Sequence, residues 1–186
     1  DHQHQSFVQL ISQSSSKRIG TCQEGASFVF GIKLYGKTPG GHSLKSRPIL
    51  LQKITGISKW GQFAYQPVIA KHGHKLTREN RLELSLTGLL LQQFQESPVK
   101  NGIAISKNTQ ALEIEDLKLS RNLNDQLLEA LRKIKNDLNL EEPPPITANR
   151  RKCSICTWKK LCNTEASSQG HLSEISGVGA KRIEIL

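Results

Sequence analysis

The chain has 186 residues, with 26 Lys and Arg against 16 Asp and Glu, a formal net charge of +10 at neutral pH and a pI near 9.6. That length buries one substantial core and leaves room for a small appendage, and the positive balance points to a polyanionic partner, nucleic acid before phospholipid. No apolar run reaches transmembrane length and no signal peptide opens the chain, so no membrane partner is expected; a cytoplasmic location is, and it suits reduced thiols. An apolar fraction of 36%, arranged in patterned blocks, describes a globular protein and not a disordered tail.

In chain order, Phe7, Val8, Leu10 and Ile11 have spacings that a short helix uses, and a sequence that opens mid-helix reads as a piece of a longer protein. Residues 27–35 predict a strand, Lys37 to Gly41 a turn, Arg47 to Ile54 a second strand, Thr55 to Ser58 a turn, and Gln62 to Lys71 a third strand. Pro67 argues against a central, fully bonded place for that third strand at that point. Leu82, Leu86, Leu89, Leu90 and Phe94 recur on one helical face behind Thr77 as N-cap, which predicts the main helix packed on the sheet. Two strands follow, at 102–106 and 111–114, then an amphipathic helix over 124–140 with Leu127, Leu128, Leu131, Ile134 and Leu138 on one face. Glu141-Glu-Pro-Pro-Pro145 ends that helix, because proline lacks the helical donor, and starts a stiff linker.

The linker leads into Arg150-Arg-Lys-Cys-Ser-Ile-Cys-Thr-Trp-Lys-Lys-Leu-Cys162, which holds three of the four cysteines. Cys153 and Cys156 in C-x2-C spacing let two thiolates converge from a tight turn, and Cys162 follows after five residues. Arg150, Arg151, Lys152, Lys159 and Lys160 lower thiol pKa values nearby, and the same cations suit nucleic-acid phosphates. A structural zinc site usually shows a second ligand pair, absent here, whereas an iron–sulfur cluster tolerates a distant fourth cysteine. A 4Fe-4S cluster is therefore expected, with zinc as the alternative.

C-x2-C-x5-C at the C-terminal edge of a nuclease-sized domain resembles the RecB-like nucleases that carry an iron–sulfur staple, the type of AddB and of the CRISPR-associated RecB-like exonucleases. The resemblance implies an α/β PD-(D/E)xK restriction-endonuclease-like core, a mixed central sheet flanked by helices, with a small C-terminal helical appendage. It divides the chain into a nuclease core over 1–142, a linker and cysteine segment over 143–168, and a terminal piece over 169–186. In that family the fourth cysteine lies upstream, which makes Cys22 the candidate. Cys22 follows His4, however, where the family's first cysteine precedes its first catalytic histidine, so the missing ligand is expected N-terminal to residue 1. His4 itself resembles the family's histidine that faces the metal.

The resemblance also locates the catalytic positions. The family places an aspartate after a proline on the second strand and, on the third, an acidic residue two before a lysine; the carboxylates hold Mg²⁺ and the lysine stabilises developing charge. Here Ile49 and Ile69 stand at the two acidic positions and Lys71 remains. The family's Gln-x-x-x-Tyr on the main helix maps to Glu83 and Thr87. Isoleucine offers no lone pair to a hard cation, so Mg²⁺ is not expected to bind.

Residues 172–186 resemble a helix-hairpin-helix around Gly177-Val-Gly179, whose glycines let backbone N–H groups approach phosphate while Lys181 and Arg182 supply charge. The combined expectation is a DNA-binding RecB-like domain, part of a longer chain, that has lost metal-dependent hydrolysis. An active metal-dependent DNA exonuclease and a zinc-bearing nucleic-acid-binding adaptor are the alternatives.

Overall fold

The computed structural model describes residues 20–71, 73, 75–107, 112–142, 145–147, 150, 153, 156–183 and 185. Two compact units divide the chain, one running to Lys133 and the other from Ile134.

The first unit is α/β. Its strands are β1 (Phe28–Phe30), β2 (Leu34–Lys37), β3 (Ser43–Ser46), β4 (Leu50–Ser58), β5 (Gly61–Lys71), β6 (Asn101–Lys107) and β7 (Leu112–Lys118); its helices are α1 (Arg78–Gln95) and α2 (Arg121–Leu138), the second reaching past the boundary. Five strands form a mixed sheet in the order β1-β4-β5-β6-β7, with β5 and β6 parallel and every other pair antiparallel. A parallel pair needs a crossover, and α1 supplies it between β5 and β6.

The N-terminal strand predicted over 27–35 is two strands, because Gly31 at φ +60° turns the chain out of the sheet after β1. β2 then pairs with β3 as a separate hairpin across the predicted turn, closed by Thr38 N–H to His42 O at 2.9 Å. Gly36 lets this hairpin lie against α1, since a Cβ there would collide with Leu90 and Gln93. The Gln93 amide fixes the contact, accepting from Lys37 N at 3.0 Å and donating to Lys37 O at 2.7 Å. The strand predicted over 47–54 begins only at Leu50 and continues to Ser58, so the predicted turn at 55–58 lies inside β4, where a register shift replaces it.

β5 is the central strand despite Pro67. Pro67 registers with Leu51 on β4, while pairing with β6 starts one residue later, at Val68↔Ile103, so the missing donor falls where that ladder has not begun. The backbone of Tyr65, short of β6, is satisfied by the fully buried Gln95 at the end of α1. That amide accepts from Tyr65 N at 2.8 Å and donates to Tyr65 O and Ser97 O, each at 3.3 Å. A buried polar side chain here does the work of a strand, and losing it leaves backbone groups dry and unpaired.

α1 starts as predicted at Thr77, whose hydroxyl accepts from Asn80 N at 3.3 Å while the Asn80 side chain accepts from Thr77 N at 3.2 Å. Leu84, Leu90 and Leu91 on its inner face join Leu51, Tyr65, Ile69, Ala104 and Leu117 from the sheet in one core. Each such leucine contributes about 2 kcal/mol by leaving water. α2 begins three residues before the predicted start, with Ser120 Oγ accepting from Leu123 N at 3.3 Å as its cap. Leu123 and Leu127 are buried, while Ile134 and Leu138 on the continuing stripe are exposed. The second unit holds α3 (Lys159–Ser168), a 3₁₀ turn (Leu172–Glu174) and α4 (Ala180–Ile183).

Candidate functional site

Alternation and register fix what the end of β5 can present. Pairing sets Ile69 beside Ala104 and Glu115, and Lys71 beside Ser106 and Glu113. Laterally paired residues share a face, and residues two apart on a strand share one too, so all six lie on the face that α1 covers. Ile69 is 2% exposed within the core. The Lys71 side chain is also 2% exposed, and its ammonium donates to Glu115 Oε2 at 3.0 Å. Ser106 Oγ donates to Glu113 Oε2 at 3.4 Å in the row beyond.

Ile49 precedes β4 by one residue and is 55% exposed, with its carbonyl accepting from Gly31 N at 3.2 Å. The last β4–β5 pair at this end is Leu50↔Val68, and one further step would set Ile49 opposite Ile69. The two isoleucines thus flank one end of the β4–β5 pair. Gln66 lies on the opposite face to Ile69, next to Gln52 and donating to its Oε1 at 3.2 Å, so it adds no oxygen to this face. Of the mapped helix positions, Thr87 is 1% exposed and its hydroxyl shares a hydrogen bond with Ser46 at 3.0 Å, whereas Glu83 is exposed.

The carboxylates at this end of the sheet come from β7, and sequence reading passed over them. The signal was the alternation in Leu112-Glu113-Ile114-Glu115, which sends both acids to one face, but nothing local shows that β7 lies two strands from β5.

Cys22 sits in the helical turn at residues 20–23, fully buried in the core of the first unit. Burial pushes its thiol up from 9.0 to about 12, the opposite of a thiolate ligand's environment. Tyr65 shares this interior: its hydroxyl donates to Ala26 O at 2.8 Å, and its pKa is raised by burial first and by Cys22 second. His4, Arg151 and Lys152 lie outside the described residues.

In the second unit the cysteine segment advances by tight turns. Cys156 N donates to Cys153 O at 3.3 Å, Lys159 N to Cys156 O at 3.2 Å, and Cys162 N to Trp158 O at 3.0 Å in the first turn of α3. Cys153 and Cys162 are half-buried, Cys156 is exposed, and all are free thiols. Their donor type and spacing fit a thiolate-bound centre, with one ligand still to be supplied. Among the described residues no group of three or more His, Cys, Asp or Glu side chains is arranged around a common metal position, so the fit is one of chemistry and not of arrangement.

Arg150 is occupied within the unit. Its guanidinium bonds Asn163, lies 3.4 Å from Ser173 Oγ and pairs with Glu174 at 3.7 Å, with the side chain 17% exposed. It ties α3 to the 3₁₀ turn instead of facing a ligand. Lys159, Lys160, Lys181 and Arg182 are exposed. Gly177 adopts φ +82° and Gly179 has open space around its Cα, while Arg182 Nη1 donates to Gly177 O at 2.9 Å and braces the turn. The predicted second helix of the hairpin is the four-residue α4. No described helix is long and apolar enough to cross a membrane.

No protein-family model and no curated protein matches the chain. Seven chains of solved structure do, among them one titled "Crystal structure of SSO0001", at 11% identity and a TM-score of 0.47 over 79% of this chain and 67% of that one.

Proposed function

We propose that the chain is a DNA-binding domain of the RecB-like, PD-(D/E)xK nuclease type that has lost metal-dependent cutting. The reading of lost cutting rests on one observation above all: Lys71 is buried and paired with Glu115, while Ile69 packs in the core on the same strand face. A hydrolytic site of this type needs carboxylate oxygens beside the lysine to hold Mg²⁺ and activate water. Ile49 and Ile69 supply none, and the lysine's charge is neutralised by an internal partner in place of a scissile phosphate.

DNA binding is supported by the net charge of +10 and by the exposed Lys159, Lys160, Lys181 and Arg182. Such side chains contact phosphates whatever the sequence, releasing counterions. Cys153, Cys156 and Cys162 are proposed to hold an iron–sulfur cluster with a fourth ligand from outside this group; when bound, the cluster would cross-link the linker to α3. Iron and acid-labile sulfide measured on protein purified without oxygen test this, and zinc in their place would select the adaptor reading.

The DNA-binding reading is tested by titrating an unrelated set of duplexes at rising salt. Affinity is expected to fall steeply with salt and to vary little with sequence. Changing Lys159, Lys160, Lys181 and Arg182 together to alanine should reduce the log–log salt slope by about 3 to 4 if each meets one phosphate. Binding without a salt slope, or an unchanged slope in the variant, contradicts the reading.

A further inference from the structure

Between Glu24 and Glu79 the sequence holds no Asp or Glu, while lysine and arginine recur throughout that stretch. Several of these cations are satisfied inside the first unit: Lys53 Nζ donates to Gly25 O at 2.9 Å, Lys59 pairs with Glu96 at 3.3 Å, and Lys71 pairs with Glu115. The cations of the β2–β3 hairpin are different. Among the described residues no ion pair joins Lys33, Lys37, Lys45 or Arg47 to an acid. Strand alternation divides the hairpin into two faces. Leu34, Gly36, Leu44 and Ser46 share the inner one, where Leu34 is fully buried, Gly36 lies against α1 and Ser46 shares a hydrogen bond with Thr87. Tyr35 pairs with Lys45 and Lys37 with Ser43, so these four make the outer face, and all are exposed. Lys33 and Arg47 flank the end away from the turn, each one residue outside its strand. The Lys45 ammonium lies 5.4 Å from the centre of the Tyr35 ring, which holds it on this face without neutralising it.

Every polar group on the outer face, ammonium, phenol or hydroxyl, can donate a hydrogen bond, and no carboxylate stands there to repel an anion. Phosphate oxygens accept such bonds from Lys, Tyr and Ser alike. The face is also held in place before a ligand arrives: the inner side is packed on α1, and the Gln93 amide bonds both backbone groups of Lys37. That lowers the ordering cost of binding. A row of donors along a fixed ribbon suits a row of phosphates better than a single anion. We infer that the outer face of the β2–β3 hairpin grips the phosphate backbone of DNA, using residues of the first unit that are distinct from the exposed cations of the second. The inference rests on the DNA-binding reading and adds a contact surface to it.

The test titrates one labelled duplex with the whole chain at rising salt, beside a variant in which Lys37, Lys45 and Arg47 are alanine. All three side chains are exposed, so the core is untouched. The log–log salt slope should fall by about 2 to 3 if each meets one phosphate. A control with alanine at Lys100, Lys118 and Lys133, also exposed and in the first unit, loses the same net charge and should keep its slope. An unchanged slope in the hairpin variant, or an equal loss in the control, overturns the surface. If the alanine variant of the four exposed cations of the second unit loses slope while the hairpin variant does not, the hairpin falls and DNA binding stands. If the hairpin variant loses slope while that one does not, the hairpin stands and the second unit's surface falls. Wild-type protein that shows no salt-dependent binding to the duplex overturns both. A hairpin variant that loses binding to phosphatidylserine vesicles while holding the duplex as before assigns the face to lipid and overturns the inference.

Discussion

The end of β5 and the cysteine segment handle positive charge in opposite ways. Lys71 is sealed at 2% exposure against Glu115, so its charge serves the sheet. Lys159, Lys160 and Lys181 face solvent, where a charge is available to a polyanion. Arg150 shows that location in the basic segment does not decide the role, since its fork is spent on Asn163, Ser173 and Glu174. Burial and internal partners separate cations that serve the fold from cations left open to solvent, and sequence proximity does not.

The comparison breaks first at Ile69. Putting back a carboxylate with Ile69→Asp places an acid in an apolar core, and the expected loss is about 4 kcal/mol in urea denaturation. Full stability, with added Mg²⁺ raising it further, would mean that the place still accommodates a metal. Gln95→Leu comes next: it strips partners from the backbone of Tyr65 and should cost about 3 kcal/mol by the same measurement.

A third test uses pH. The Cys22 thiol is raised from 9.0 to about 12 in the folded protein, so the folded state holds the proton that the unfolded chain releases. Its contribution is fully present below pH 9 and is lost as pH rises towards 12. Cys22→Ala should flatten that alkaline decline; an identical decline in both proteins would show that another group drives it.

Glu115→Gln sharpens the contrast from the other side. Glu115 is 41% exposed, so solvent screens the pair, and the expected cost is about 1 to 2 kcal/mol, against less than about 0.5 for Lys160→Ala. Equal effects would erase the distinction between the two regions.

Much of the fold was legible. The capping pattern at Thr77 and the leucine spacing behind it gave α1 directly, and the β-branched and aromatic run before Lys71 gave β5, because each signal is local. The break at Gly31 was not, since Phe28 to Tyr35 is apolar but for Gly31 and Lys33 and only the positive φ turns it. Pro67 misled for a similar reason: its missing donor matters only if a neighbour is present, and β6 starts just beyond it. At the candidate site, Ile49, Ile69 and Lys71 were picked out by the resemblance to the nuclease motif, whereas Glu113 and Glu115 arrive through strand order, which no local pattern encodes.

The central claim is that this domain binds DNA without cutting it, and one assay meets it most directly. The whole chain is incubated with single- and double-stranded DNA in Mg²⁺ or Mn²⁺, beside Lys71→Ala, at protein concentrations where binding is seen. The account predicts bound, intact DNA with both proteins, because Ile49 and Ile69 supply no oxygen ligands to the metal that would activate water and the Glu115 carboxylate is paired with Lys71. Metal-dependent cleavage that disappears in Lys71→Ala would contradict it.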